Sequence, residues 1–172
     1  MMTGTADAHS DTSTGVQVWL AKQQIAELRQ LYGFATDLIG TADPANVEEG
    51  RAIYRRIFAA DASIGASGVP SVRGPDAWTD VVLDALRVYE ATQHLIGTQR
   101  VDVHALPDAN GQGGRASMQS YLQAWHAKAD GELWTFIGTY HDEATYTPSR
   151  GWQIQSMVLK QVSGDVRQLG LR

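Results

Sequence analysis

The sequence predicts an α+β fold in which N-terminal helices pack inside a curved, mainly antiparallel sheet to form a cone-shaped α+β barrel. Apolar residues recur at helical spacing up to about Tyr89. From His94 onward they alternate along runs separated by turn residues rich in Gly, Pro and Asp. Helices come first and strands follow, without the strand–helix alternation of a parallel sheet. At 172 residues the chain has the length of one domain with a single core, and it shows no internal repeat.

Residues 1–15 are rich in Thr, Ser, Asp and Ala and lack the basic-then-apolar layout of a signal peptide, so they read as a flexible tail before a domain at 16–162. A first helix from Val16 to Gly40 places Trp19, Leu20, Ile25, Leu28, Leu31, Tyr32, Ala35 and Leu38 at helical spacing, with Lys22, Glu27 and Arg29 between them. Asp43-Pro44 is an N-cap followed by proline at the first helical position, and opens a second helix carrying Val47, Ile53, Tyr54, Ile57 and Phe58. A short strand at Ala62 to Ala66 follows. Gly74-Pro75-Asp76 then starts a third helix with Trp78, Val81, Val82, Ala85 and Leu86. Four strands complete the fold: His94 to His104, Arg115 to Lys128, Leu133 to Tyr146 and Trp152 to Val162. The Gly-rich run Gly111 to Gly114 lies between two of them with no helix after it, so it reads as a hairpin loop rather than a phosphate loop. Residues 163–172 form a C-terminal tail whose Leu169 and Leu171 can close a pocket mouth.

Charge and composition narrow the function. Lys and Arg total 14 against 19 Asp and Glu, for a formal net charge of −5, and the isoelectric point is near 5.4. That balance opposes nucleic acid or an anionic membrane as the main partner. The absence of cysteine excludes disulfides, thiolate metal sites and a cysteine nucleophile. No apolar run approaches the roughly 18 residues of a membrane span. The expectation is a cytoplasmic protein acting on a small molecule.

Strand parity suggests what lines the interior. On the second long strand Ala116, Met118, Ser120, Leu122, Ala124 and His126 share the more apolar face, which carries His126 inward. On the third, Ile137, Thr139 and His141 oppose Trp134, Phe136, Gly138, Tyr140 and Asp142; both faces are mixed and parity does not choose between them. Asp37 sits in the most apolar part of the first helix, Phe34-Ala35-Thr36-Asp37-Leu38-Ile39, where a lone carboxylate would be costly. It caps a neighbouring backbone, pairs with an arginine, or pairs with a cavity histidine.

Together these segments resemble the NTF2-like superfamily in its SnoaL-like branch. The resemblance runs from Val16 to Val162 through Leu31 to Asp37, Ile57 to Ala62, Gly74 to Trp78, Thr92 to Gly97, Gly138-Thr139-Tyr140 and Arg150 to Ile154. Within that branch the chain is similar to the scytalone dehydratase and lindane dehydrochlorinase families, whose elimination needs no metal or cofactor. The resemblance implies an Asp–His dyad of Asp37 and His94 and a second cavity histidine at His126. Thr139 and His141 fall on substrate-positioning residues of the dehydratase. Two tyrosines of the dehydratase fall on Thr36 and Ala66, so another group, Tyr32 or His141, must polarise a substrate oxygen. The family also implies a homo-oligomer, trimer or dimer, formed through the sheet; Trp125 lies on the outer face by parity.

The implied chemistry is proton abstraction beside a carbonyl or aromatic group. Neutral imidazole suits this near pH 7, with a carboxylate to fix its tautomer. His94 is then the base, Asp37 its orienter and His126 the acid for a poor leaving group. A dehydratase-like lyase on a small aromatic or polyketide-like substrate follows. The same relay also suits a retro-aldol lyase releasing formaldehyde from a lignin-derived aromatic, or a ketosteroid-isomerase-like isomerase. A non-catalytic binding module and a metal enzyme are the rival classes; the latter lacks a His-x-His or His-x-x-x-His pair.

Overall fold

A computed structural model describes residues 5–168, with side chains from Thr14 onward. Helix α1 spans Thr5–Gly40, α2 Pro44–Ile57 and α3 Pro75–Leu86; the strands are β1 Phe58–Ala66, β2 Val69–Arg73, β3 Ala91–Ala105, β4 Arg115–Ala127, β5 Glu132–Thr147 and β6 Gly151–Gln168. One six-stranded sheet runs in the order β2-β1-β6-β5-β4-β3. Every pairing is antiparallel except β1 with β6, which is parallel. The sheet is therefore mixed and open, and the three helices fill its concave side.

Helix α1 lies across the sheet with Ile25, Tyr32, Ala35 and Ile39 fully or almost fully buried. Asp43 caps α2 as its sequence context predicts: its carboxylate accepts from the backbone N–H groups of Ala45 at 3.0 Å and Asn46 at 3.1 Å. Tyr54, Ile57 and Phe58 carry that helix into the core, and Trp78, Val82 and Leu86 do the same for α3. On β4 every residue of the expected inward row, Ala116 to His126, is buried.

Three expectations change, and one strand departs from regular alternation. The first helix begins at Thr5 rather than Val16, within the segment read as a tail, and Trp19 and Leu20 on it are exposed rather than core. Strand β2 was hidden because Ser67-Gly68 turns the chain so tightly that one short apolar stretch becomes a hairpin. Residues 163–168 are not a tail: they continue β6 alongside Glu132 to Ile137 of β5, while Leu169 and Leu171 lie outside the described residues. On β3 the register shifts between Ile96 and Gln99, around Gly97-Thr98. This bulge lets Thr92, His94 and Ile96 face inward before it and Gln99, Val101 and Val103 after it, although a regular strand would place these sets on opposite faces.

Candidate active site

Helix α1 approaches β3 closely because two glycines face it. A Cβ on Gly33 would lie 3.2 Å from the His94 carbonyl oxygen, and one on Gly40 only 2.6 Å from Thr92 Oγ1. Between them Asp37 meets the start of β3. Its Oδ1 accepts from His94 Nδ1 at 2.7 Å and from Thr92 Oγ1 at 3.2 Å, while Oδ2 accepts from the His94 backbone N–H at 3.2 Å. Three donors thus satisfy the carboxylate that composition alone left unexplained. A carboxylate only accepts, so Nδ1 of His94 carries the hydrogen, which in the neutral ring leaves the lone pair on Nε2.

His94 borders an interior cavity of about 170 Å³. Its walls are Leu122, Trp134, Phe136 and Leu159 from the sheet and Trp78, Val82 and Leu86 from α3, with Tyr32 and Tyr140 among the lining groups. Exposed Ser67, Val69 and Ala85 mark its mouth. A dry apolar cavity of roughly 150 Å³ holds one benzene-sized molecule, so the space suits a single-ring compound. Wider grooves of about 400 and 630 Å³ lie outside, against Phe34 and the outer side of Asp37. The Asp37–His94 pair therefore sits in the wall, with the imidazole toward the cavity and the carboxylate toward the outer surface.

His126 enters the cavity from β4, its ring 5.3 Å from that of His94 in an edge-on arrangement and 4.5 Å from the Trp134 indole. Burial, reinforced by neighbouring His94, pushes its pKa down to about 4. Its Nδ1 lies 3.3 Å from the Trp134 carbonyl oxygen, an acceptor, so the hydrogen is on Nδ1 and Nε2 is a bare acceptor. The acid role expected of His126 does not fit: at neutral pH the ring is uncharged and its free nitrogen accepts.

Of the substrate-positioning candidates, Tyr32 is in place. It is buried against the cavity, and its hydroxyl accepts from Trp78 Nε1–H at 3.1 Å. Thr139 and His141 are not. They alternate with inward Gly138, Tyr140 and Asp142, which puts them on the convex side, where Gln119 Nε2 lies 3.2 Å from His141 Nδ1. The parity ambiguity of β5 resolves toward the aromatic set, because Trp134, Phe136 and Tyr140 fill the cavity wall. Sequence reasoning passed over Tyr140 and Trp134 as cavity groups; their alternation with Gly138 was the available signal. It also passed over Arg29 and Asp142, which form a buried ion pair behind the cavity. Among the described residues no group of three His, Asp or Glu side chains is placed to hold a metal ion, and no helix is long and apolar enough to cross a membrane.

The fold is shared with solved structures at low sequence identity. A scytalone-dehydratase-like protein of Novosphingobium aromaticivorans superposes with a TM-score of 0.68 at 15% identity, covering 92% of this chain and 93% of its own. A hexachlorocyclohexane dehydrochlorinase, LinA type 3, of Novosphingobium barchaimii gives 0.72 at 12% identity, covering 92% and 97%. An NTF2-like superfamily protein of Salmonella enterica serovar Typhimurium gives 0.65 at 13%, covering 85% and 94%. No curated protein matches the sequence significantly. The family profile of the SnoaL-like domain matches residues 17–158, nearly all of the helices and sheet just described, and the chain belongs to that family.

Proposed function

We propose that this protein is a cofactor-independent lyase of the dehydratase type, acting on a small aromatic or polyketide-like compound. The observation that carries the reading is the 2.7 Å contact between Asp37 and His94 at the edge of an apolar cavity. Asp37 holds the His94 hydrogen on Nδ1 and stabilises the imidazolium formed when Nε2 takes a proton from substrate carbon. With His126 neutral, protonated His94 is itself the acid that returns the proton to the leaving hydroxide. His126 Nε2 then accepts from a substrate hydroxyl and orients it, and Tyr32 donates to a substrate oxygen.

A second reading uses the same Asp37–His94 relay, with His126 Nε2 as the acceptor that orients a substrate hydroxyl. A hydroxyl held on His126 passes its proton to His94 Nε2, the carbon–carbon bond breaks with loss of formaldehyde from a hydroxymethyl side chain, and the electron pair moves into the conjugated ring system, to be protonated from His94. The isomerase reading needs only the proton transfer at His94. For assembly we infer a homo-oligomer, dimer or trimer, through the convex face of the sheet, where Leu95, Tyr121 and Val158 are exposed.

Mass spectrometry of products in heavy water separates these readings across a panel of aryl β-hydroxy carbonyls, aryl propanediols and enones. Loss of water marks the dehydratase, loss of formaldehyde the retro-aldol lyase, and deuterium uptake alone the isomerase. His94→Ala is expected to lower turnover by about 10²–10⁴-fold. Turnover within a few-fold of the parent would remove His94 from the base role, and an inert panel would favour a binding module.

A further inference from the structure

The connection from α3 to β3, residues 87–90, lines no part of the cavity, yet one of its side chains reaches His126. Two backbone bonds fix this connection. The Tyr89 N–H donates to the Leu86 carbonyl at 2.9 Å, at the end of α3, and the Glu90 N–H donates to the Ala127 carbonyl at 2.8 Å, at the end of β4. The Tyr89 ring is thereby laid beside the last residues of β4. Its centroid is 5.2 Å from that of His126 and 6.0 Å from that of the Trp134 indole, to which it is nearly parallel at 22°.

Tyr89 is half-buried and borders solvent, whereas the His126 it touches is only 2% exposed. On its outer side Lys128 Nζ lies 5.9 Å from the ring centroid and 2.6 Å from Glu132 Oε1, so an ion pair flanks the phenol. The ring offers His126 no hydrogen bond, because the imidazole Nδ1 is already turned to the Trp134 carbonyl oxygen. What it offers is an apolar face that keeps water away, which favours the uncharged imidazole. Around His126 the other influences are few. Asp37 from α1 favours its charged form and His94 from β3 opposes it, while Lys128 and Glu132 satisfy each other and α3 presents only apolar Val82 and Leu86 to the cavity at this end.

We propose that Tyr89 is a positioning residue for the histidine pair, its ring sealing the β4 end of the cavity against water so that His126 remains an uncharged acceptor beside His94. The catalytic use of that acceptor rests on the lyase reading; the seal itself does not. The two imidazoles are 5.3 Å apart, centroid to centroid. A proton on His126 would therefore repel the proton that His94 has to take from substrate, and would replace an acceptor by a donor. Tyr89 acts on the reaction only through this neighbour.

The test follows the ring resonances of His126 by NMR as pH is varied, assigned by their absence in His126→Gln. The parent midpoint is expected at about 4. In Tyr89→Ala it is expected to rise by about 1–2 pH units toward the ordinary value near 6.5, and Tyr89→Leu, which keeps more of the packing, is expected to give a smaller rise. Tyr89→Phe keeps the ring and is expected to hold the parent midpoint. On the lyase reading, the acid-side fall in turnover should also begin at higher pH in Tyr89→Ala than in the parent. A His126 midpoint unmoved in folded Tyr89→Ala or Tyr89→Leu would overturn the proposal. So would a rise in Tyr89→Phe equal to that in Tyr89→Ala, which would assign the effect to the hydroxyl instead of the ring. Midpoints that move as expected in a protein inert on every substrate would support the seal and count against the lyase reading alone.

Discussion

An imidazole whose pKa burial has lowered to about 4 stays uncharged through the neutral range, and this determines what His126 contributes. In the unfolded chain the same group titrates near 6.5. Between those values the unfolded state binds more protons than the native one. The stability tied to a neutral His126 is therefore intact above about pH 6.5 and is lost as pH falls toward about 4. Its upper bound is on the order of 3 kcal/mol. Urea unfolding at pH 7 and at successively lower pH should show parent stability falling more steeply than that of His126→Gln; parallel slopes would mean the ring is solvated. The same neutrality is why one imidazole, His94, is assigned both halves of the proton transfer.

At the scale of elements, the dyad depends on how closely α1 is allowed to approach β3. Gly40→Ala would place a methyl carbon 2.6 Å from Thr92 Oγ1, the hydroxyl that donates to Asp37. The variant is expected to lose about 1–3 kcal/mol by overpacking and to lower turnover by disturbing Asp37. Removing the obstructing hydroxyl in Gly40→Ala with Thr92→Ala should recover stability beyond the sum of the single changes in a double-mutant cycle, without recovering the Thr92 hydrogen bond. Strict additivity would show that the two elements slide apart instead. This contact was partly legible in the sequence: Asp37 stood out because a carboxylate among apolar neighbours requires donors, and the resemblance supplied His94. The cap of α2 and the inward row of β4 were legible because each follows a local rule, one a capping residue with proline behind it and the other a two-residue period. The facing of β3 was not, because the bulge at Gly97-Thr98 reverses parity midway along it. Arg29 read as a polar gap in a helical stripe because its partner, Asp142, is 113 residues away and lay on a strand whose faces did not separate by composition.

At the scale of the whole molecule, the two faces of the one sheet differ in what they carry. The concave face, with the helices, encloses the cavity and the polar groups that converge on it. The convex face keeps Leu95, Tyr121 and Val158 in solvent, with Trp125 and Ile137 half-buried beside them and Thr139 and His141 among them. Large apolar side chains grouped on an exposed sheet face mark an association surface more often than chance exposure does. An isologous or cyclic contact between copies would cover them. The parent protein is therefore expected to sediment as a dimer or trimer, and Tyr121→Glu to shift it toward monomer by placing a carboxylate in the centre of the patch. Tyr121 alternates with inward Leu122, so its side chain points away from the cavity. Turnover by the dissociated form should then match that of the parent if the cavity is complete within one chain. A monomeric parent would remove the association surface. Loss of turnover on dissociation would instead mean that packing of the convex faces holds the concave side in shape, linking assembly to the site through β4 and β5.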